Sequence, residues 1–257
     1  MIGCGNMAGA MLSRWLDTGL DPARVTVIDP ANPALPVRVL AAAPDEAAPD
    51  ILLLGVKPQL LGDMAPGLRS ASDGALVLSI LAGTTTATLR ALFPDARGIV
   101  RIMPNLPVAL GKGAVALFAD APRADCDSVA ALVAPLGLVE WISDESLFDA
   151  VTALSGSGPA FVYRFIDALA QGGAALGLPA DQAMRLAVAT VDGAATSAAA
   201  SALLPADLAE HVASKGGSTR AGLDVIDDGA ALAALVARAL AAAQVRNGEL
   251  AALTRPG

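Results

Sequence analysis

Histidine and cysteine, two residue types on which acid–base and metal chemistry often depend, are scarce in this sequence. It holds one histidine, His211, so a metal site or a Ser-His-Asp triad has almost nothing to be built from. The two cysteines, Cys4 and Cys126, show neither metal-ligand spacing nor a disulfide framework. The net charge of −8 argues against nucleic acid and anionic membranes as partners. We therefore expect a metal-free protein that acts on a small molecule.

Aromatic residues and long hydrophobic runs are also few. Aromatics make up 3% of the chain while hydrophobic residues make up 54%, so the core must be built from small aliphatic side chains. Mean hydropathy is +0.58, but charged residues or helix breakers interrupt every apolar run before the roughly 20 residues that a membrane span needs. The beginning of the chain lacks the pattern of a signal peptide. We expect a soluble, cytoplasmic protein.

The first part of the chain alternates between short β-rich runs and helical segments. Several of the β-rich runs are continuously apolar, which is typical of strands buried on both faces of a parallel sheet. This alternation predicts a doubly wound α/β domain over residues 1–144. The predicted strands are Val25–Asp29, Ile51–Val56, Leu76–Leu81, Gly98–Met103, Gly113–Ala119 and Leu138–Ile142, and the predicted helices are Met7–Thr18, Leu60–Leu68, Thr86–Leu92 and Asp125–Pro135.

After about residue 144 helix-period segments replace the strands. Phe161, Phe165 and Leu169 follow one another at spacings of four and share one helix face. Many alanines and glycines on these segments indicate close contact between helices, although a composition bias would give the same pattern. The sequence therefore predicts an all-α domain over residues 145–257, with part of its surface buried between subunits of a homo-oligomer.

A G-x-G-x-x-A fingerprint opens the chain at Gly3-Cys4-Gly5-Asn6-Met7-Ala8. In such a motif the first glycine permits a tight strand-to-helix turn, and the second lets backbone amides approach a pyrophosphate at the helix N-terminus. Alone, the motif also fits any glycine-rich turn. Little chain precedes it, so either the recorded start is late or the first strand is very short. With this context we expect Gly3, Gly5, Asn6 and Met7 to bind NADPH or NADH.

An acidic residue, Asp29, ends the next predicted strand, 21 positions after Ala8. A dinucleotide-binding fold has at this position the residue that contacts the adenosine ribose, and a carboxylate there favours NADH. An aspartate before Pro30 also commonly starts a turn. Both interpretations stay open at this point.

Three further strand ends carry unusual residues. Since ligands of open α/β sheets bind outside the carboxyl ends of the strands, these positions are candidates for cofactor contacts. Pro58 blocks continuation of its strand and leaves Lys57 facing the edge, although a solvated surface lysine is the plainer alternative. The candidate residues at these ends are Val56, Lys57, Pro58, Ala82, Gly83 and Asn105.

Two glycine-rich loops in the second part each lead into a predicted helix. Leu154-Ser155-Gly156-Ser157-Gly158-Pro159 offers amides and hydroxyls that suit a carboxylate, with Ser157 and Gly158 as the candidates. Ser214-Lys215-Gly216-Gly217-Ser218-Thr219 offers Gly217, Ser218 and Thr219. An interdomain linker and a capped helix–helix connection explain these loops equally well.

Taken in order, the motifs GCGNM, VKPQ, SILAG, RIMPN, ALSGSGPAFV and GGST resemble those of pyrroline-5-carboxylate reductase along nearly the whole chain. The resemblance implies a Rossmann-like domain followed by a dimerisation domain, and reduction of L-1-pyrroline-5-carboxylate to L-proline, the last step of proline biosynthesis. It implies that Ser218 and Thr219 hold the substrate carboxylate, that Ser157 and Gly158 shape the pocket, and that a homodimer or a larger dimer-based oligomer forms. Thr219 is the candidate for delivering a proton to the ring nitrogen.

The last loop departs from the family pattern, which has proline where Lys215 stands and threonine where Ser218 stands. Two other functions remain open. A β-hydroxyacid dehydrogenase would need a lysine on the helix that follows Pro159, and that helix offers Arg164 instead. A dinucleotide-binding module without turnover is the alternative outside enzymes.

Overall fold

The first half of the chain forms the expected α/β domain. The computed structural model describes residues 1–44 and 47–252, with side chains through residue 249. The elements of this half are α1 (Asn6–Asp17), β1 (Thr26–Ile28), β2 (Arg38–Leu40), β3 (Ile51–Leu54), α2 (Leu61–Ser72), β4 (Leu76–Ser79), α3 (Thr86–Leu92), β5 (Gly98–Met103), β6 (Gly113–Asp120), α4 (Arg123–Val133), β7 (Gly137–Trp141) and α5 (Phe148–Val151).

The strands form a five-stranded sheet in the order β3-β4-β5-β6-β7 and a parallel pair, β1-β2. Ile2 joins these two groups because it makes parallel bridges to both Ile28 and Leu54. Its amide donates to the Leu53 carbonyl at 2.7 Å, and its carbonyl accepts from the Gly55 amide at 2.8 Å. The fingerprint that follows Ile2 therefore begins between β1 and β3, at their carboxyl ends.

Helices cover both faces of the sheet, as the continuously apolar strands predict. Successive strand residues face opposite sides, so Leu52 and Leu54 pack against α2 and α3, while Leu53 packs with α1. On that second face Trp15 of α1 donates from Nε1 to the Leu132 carbonyl at 2.7 Å, which fixes α1 against α4. The doubly wound arrangement predicted from the sequence is present.

Two strands of the five-stranded sheet, β6 and β7, run against the other three, which the expectation of a parallel sheet did not include. β6 pairs antiparallel with β5, with Met103 opposite Ala116, and β7 then pairs parallel with β6. Residues 104–112 join β5 to β6 through one 3₁₀ turn. That connection is too short for the crossover that a parallel pair requires, so the chain turns back on itself. The strand β2 was also missed, because it begins with the charged Arg38 and none of its residues is fully buried.

The second half of the chain is helical. Its elements are a π-helical turn (Thr152–Gly156), α6 (Gly158–Ala175), α7 (Ala180–Ala200), α8 (Pro205–Val212), α9 (Ser218–Asp227) and α10 (Ala231–Ala252). Gly177 ends α6 with φ +103°, a left-handed conformation that glycine adopts without strain. The predicted second domain ends at residue 257, and residues 253–257 lie outside the described part.

The chain divides into two compact units. One consists of Met1–Pro159 with Ala242–Gly257, and the other of Ala160–Ala241. The second unit leaves large apolar side chains exposed on the single chain, and on α6 the predicted face formed by Phe161, Phe165 and Leu169 is 37–46% exposed. Its buried residues are small alanines such as Ala183 and Ala187. Such a surface is typical of an interaction site.

A cavity of about 510 Å³ lies in the first unit. Its lining includes Trp15, Thr26 and Ile51, and the last two begin β1 and β3. It therefore lies next to the amino ends of these strands. Among the helices of residues 1–44 and 47–252, none combines the length and apolarity needed to cross a bilayer.

Candidate functional site

The fingerprint turn is held tightly against the end of β3. Gly3 is buried with φ +78°, and its amide donates to the Ile28 carbonyl at 2.8 Å. A Cβ on Gly3 would lie 2.9 Å from Val56 Cγ1 and 3.1 Å from the Gly55 carbonyl oxygen. Only glycine fits this backbone and this spacing. The turn thus brings the first glycine beside Val56, the residue before Lys57.

The small last residue of the fingerprint serves the packing that its motif predicts. Ala8 is buried, and a Cβ on Gly55 would lie 3.0 Å from the Ala8 Cβ. The helix α1 therefore approaches the end of β3 at a distance that larger side chains would prevent.

The N-terminus of α1 is open towards solvent. Gly5 is its N-cap, no side chain caps the helix, and no acidic residue occupies the first turn. A Cβ on Gly5 would meet no atom within 4 Å, and Asn6 is exposed. Free amides and the helix dipole favour an anion at such an end. This space therefore fits the pyrophosphate of a dinucleotide.

Asp29 is joined directly to the fingerprint. Its Oδ2 accepts from the Cys4 amide at 3.0 Å, and its Oδ1 accepts from the Ala31 amide at 2.9 Å. Burial raises the pKa of the Cys4 thiol, and the negative charge of Asp29 raises it further, so the thiol stays protonated. Both interpretations of Asp29 have a structural basis, because one oxygen starts a turn and the other faces the fingerprint.

Two more predicted cofactor positions share the edge at which the fingerprint lies. Since β3 and β4 are parallel, the residues after each strand emerge on the same side. Lys57 is exposed and precedes a 3₁₀ turn that begins with Pro58. Ala82 is exposed and Gly83 has φ +73°. After the buried Leu81, the residues at this edge are the small Ala82 and Gly83.

Asn105 lies at the end of β5 and is 7% exposed. Its Oδ1 accepts from the Ala114 amide at 2.9 Å, and its Nδ2 donates to the Ser155 carbonyl at 2.9 Å. The side chain thus ties the RIMPN turn to the π-helical turn of the ALSGSGPAFV motif. Ser157 follows that turn, donates its amide to the Thr152 carbonyl at 3.0 Å, and is half-buried, as is Gly158.

A buried ion pair beside this edge was not predicted. Arg101 NH1 donates to Glu145 Oε1 at 2.8 Å, and the guanidinium lies 4.3 Å from the ring centre of Phe148. Glu145 also accepts from the Thr86 amide at 2.7 Å and from the Thr86 hydroxyl at 2.9 Å. Arg101 within the otherwise apolar predicted strand Gly98–Met103 was the signal available in the sequence. The strand is buried along its whole length, and a buried charge requires a partner.

In the second unit the predicted carboxylate loop leads into α9. Gly217 is the N-cap of this helix, and its amide donates to the Ser214 carbonyl at 2.9 Å. No side chain caps α9, and Ser218 and Thr219 form its first, exposed turn. Lys215 is exposed on the same loop. The loop can therefore offer free amides, two hydroxyls and one cation to a carboxylate.

Ion pairs between the two helices that flank this loop were not predicted from the sequence. Arg220 NH1 donates to both carboxylate oxygens of Glu210, at 2.8 and 2.9 Å, and its Nε donates to Asp224 at 2.9 Å. The hydrogen bonds to Glu210 raise the pKa of Arg220, so the guanidinium stays charged. Because Glu210 is on α8 and Arg220 on α9, the pair joins the two helices on either side of the loop.

Metal ligands do not cluster in the described ranges. Across residues 1–44 and 47–252, no group of three or more His, Cys, Asp or Glu side chains could hold a metal ion. The arrangement in the first unit offers instead a glycine turn, an uncapped helix end and a carboxylate, which is the set that a nicotinamide dinucleotide requires.

Comparison with known proteins agrees with both halves of this description. Residues 1–83 match the family described as NADP oxidoreductase, coenzyme F420-dependent. Residues 145–250 match the family described as pyrroline-5-carboxylate reductase dimerisation. The chain is 36% identical over 262 residues to the pyrroline-5-carboxylate reductase of Pseudomonas aeruginosa, covering 97% of this chain and 95% of that one.

Solved structures give the same result. The pyrroline-5-carboxylate reductase of Coxiella burnetii superposes with a TM-score of 0.87 at 30% identity, over 97% of this chain and 96% of that one. The Plasmodium falciparum enzyme with NADP bound gives a TM-score of 0.86 over 97% of this chain and 96% of that one, and at 24% identity it shows the shared fold. The α/β fold class and the nicotinamide cofactor class predicted from the sequence are confirmed. The chain belongs to the pyrroline-5-carboxylate reductase family.

Proposed function

We propose that this protein reduces L-1-pyrroline-5-carboxylate to L-proline with NADPH or NADH, the activity for which its family is named. The observation that carries the proposal is the open N-terminus of α1 beside the tight Gly3 turn. That arrangement leaves free amides and open space where a pyrophosphate would bind.

The cofactor would lie along the carboxyl edge of the sheet. Gly3, Gly5, Asn6 and Met7 would hold the pyrophosphate, with Asp29 at the adenosine ribose. The other proposed contacts are Val56, Lys57, Pro58, Ala82, Gly83 and Asn105. Asn105 keeps one amide hydrogen and one oxygen lone pair beyond its bonds to Ser155 and Ala114, so it can still contact a ligand.

The substrate carboxylate would be held by Gly217, Ser218 and Thr219. Their amides begin α9, where the helix dipole favours a negative charge. Ser157 and Gly158 would shape the pocket around the ring. Lys215 would add a cation near the carboxylate, so Lys215→Ala should raise KM for the substrate, and an unchanged KM would remove this role.

Bound NADH or NADPH supplies the hydride that ends on the imine carbon. The ring nitrogen of the substrate must carry a proton when the hydride arrives, so that the product is a neutral amine or its conjugate acid. Because an imine nitrogen accepts a proton readily, the protein needs no strong base, which agrees with a single histidine in the chain. The Thr219 hydroxyl is the proposed donor, and the other residues orient the two rings and exclude water.

The proposal also covers the functional division of the chain, its oligomeric state and its location. We divide the chain functionally into residues 1–144, which bind the cofactor, and residues 145–257, which bind substrate and dimerise. The match to a dimerisation family and the exposed apolar face of α6 support a homodimer or a dimer-based oligomer. Two cysteines without a disulfide between them support a cytoplasmic location.

The direct test is an assay of cofactor oxidation with L-1-pyrroline-5-carboxylate and purified protein. We expect turnover that depends on both substrates and forms proline. Cofactor binding without turnover would favour a dinucleotide-binding module, while turnover of a β-hydroxyacid and not of the imine would favour the dehydrogenase.

A second assay tests Thr219. Thr219→Ala should lower kcat by about 10²–10⁴-fold if the hydroxyl delivers a proton in the transition state. Ser218→Ala is the matched control, because it removes a neighbouring hydroxyl and should act mainly on KM. A loss of only a few-fold in kcat for Thr219→Ala would reduce the residue to positioning.

A further inference from the structure

We infer that the cofactor site selects NADH over NADPH and that Asp29 is the residue that makes the selection. This inference rests on the proposed function only in its use of the dinucleotide site, since cofactor choice can be measured without turnover. It goes further by assigning one residue to the discrimination between two cofactors that differ by a single phosphate.

The Asp29 carboxylate is held in one orientation. The Cys4 amide donates to Oδ2 at 3.0 Å and the Ala31 amide donates to Oδ1 at 2.9 Å, so each oxygen has one fixed backbone donor. The Asp29 amide itself donates to the Leu40 carbonyl at 2.9 Å. The residue is half-buried, so its charge is only partly screened by water. It cannot easily turn away from a ligand at this edge.

The position of the carboxylate is that of the adenosine ribose. Asp29 follows β1, and its contact with Cys4 ties it to the same turn whose next residues open α1. A pyrophosphate at that helix end leaves the adenosine ribose next to the end of β1. Each oxygen keeps a free lone pair that can accept a ribose hydroxyl. A 2′-phosphate at the same place would bring two negative groups together.

The segment that directly follows Asp29 in the sequence offers little positive charge to a 2′-phosphate. Residues 30–37, which form the turn after Asp29, contain no lysine or arginine, and neither do residues 39–56. Arg38 is the one basic residue of this region, and it pairs with Thr26 at the amino ends of β1 and β2. Arg38 is therefore the first residue of β2, whereas Asp29 lies at the other end of the β1-β2 pair, next to Leu40.

The test is the ratio of kcat/KM for NADH to that for NADPH. We expect the unaltered protein to favour NADH, and Asp29→Asn to lower the ratio by about 10- to 100-fold, the range of a hydrogen bond to a charged group. Asp21→Asn is the matched control, because Asp21 also accepts a backbone amide two residues on, from Ala23 at 2.9 Å, but lies before β1 at the other edge. The control should leave the ratio unchanged.

Two further measurements test the inference if Asp29→Asn folds poorly or if the protein shows no turnover. If Asp29→Asn folds poorly, Ala31→Arg adds a cation to the exposed turn without altering the carboxylate, and it should raise NADPH efficiency. Titration of NADH and NADPH by fluorescence, without substrate, reports the same preference in a protein that fails to turn over, so failure of the proposed reaction is distinguishable. A preference for NADPH in the unaltered protein, or an Asp29→Asn variant that loses stability with the ratio unchanged, would overturn the inference and leave Asp29 as a turn residue.

Discussion

Arg101 and Glu145 form an ion pair across the first unit, with 2.8 Å between NH1 and Oε1 and side-chain exposures of 5% and 20%. The pair joins the middle of β5 to the start of α3, because Glu145 also accepts both the amide and the hydroxyl hydrogen of Thr86. Thr86 follows Gly83 by three residues, so the carboxylate anchors the segment that leaves the cofactor edge.

Removing this carboxylate should destabilise the protein strongly. Glu145→Ala leaves the Arg101 guanidinium buried without its counter-ion, and we expect the free energy of unfolding to fall by about 3–5 kcal/mol. Arg123→Ala removes an exposed ion pair with Asp127, 89% and 66% exposed, and should change it by less than about 1 kcal/mol. Urea unfolding of both variants measures the difference. Equal effects would contradict the structural role given to the pair.

Alanine substitutions at the two fingerprint glycines should affect different properties, one stability and the other cofactor binding. Gly3→Ala forces a Cβ onto a backbone with φ +78° and to within 3.1 Å of the Gly55 carbonyl oxygen, so it should cost about 2–4 kcal/mol of stability. Gly5→Ala meets no atom within 4 Å and should leave stability within about 0.5 kcal/mol. Its methyl group would instead occupy space reserved for the pyrophosphate. We expect Gly5→Ala to weaken cofactor binding in a well-folded protein, as measured by titration.

In a chain whose first residue is Met1, the Met1 amino group should make stability depend on pH. It donates to the Thr26 carbonyl at 2.7 Å, and burial lowers its pKa from 8.0 to about 6. Between these values the unfolded chain binds a proton that the folded protein does not, so stability rises with pH from about 6 to about 8. The stability lost below pH 6 is about 2–3 kcal/mol, since each pKa unit corresponds to about 1.4 kcal/mol. Urea unfolding at several pH values measures it.

Two variants separate this amine from other groups. A chain with residues added before Met1 carries its amino group elsewhere and should lose this part of the pH dependence. His211→Gln removes the one histidine and should leave it in place. An unchanged pH profile in the extended chain would show that the Met1 amine is not its source.

Substitution of Arg220 should weaken substrate binding and leave cofactor binding unchanged. Arg220→Met removes the link between α8 and α9 and loosens the loop that carries Ser218 and Thr219, so we expect KM for the imine to rise about tenfold or more. The Kd of the cofactor should not change. Arg185→Met is the matched control, because Arg185 forms an exposed pair with Asp181 within α7. Arg220→Lys keeps the charge without the bidentate geometry and should recover only part of the loss.

The alternation of apolar strands with helices predicted the first domain closely. The observed bounds of β5, Gly98–Met103, and of α3, Thr86–Leu92, are the predicted ones. The residues of β5 are all buried, and the Thr85 side chain caps α3. The apolar pattern does not record the direction of β6, because a strand's apolar residues look alike in either direction. The short connection 104–112 between the two predicted strands was the signal available in the sequence, since it cannot hold the crossover of a parallel pair.

What the sequence determined by itself is the set of glycines, small residues and strand ends that allow a dinucleotide to approach, together with the order of motifs that identifies the family. Those features are local, because a backbone with positive φ or an uncapped helix end depends on the residues at that place. Only the tertiary structure decided that Asp29 faces the Cys4 amide and that Arg101 meets Glu145, 44 residues away. Such contacts depend on how strands distant in the chain pack together, and no periodicity in the chain records that.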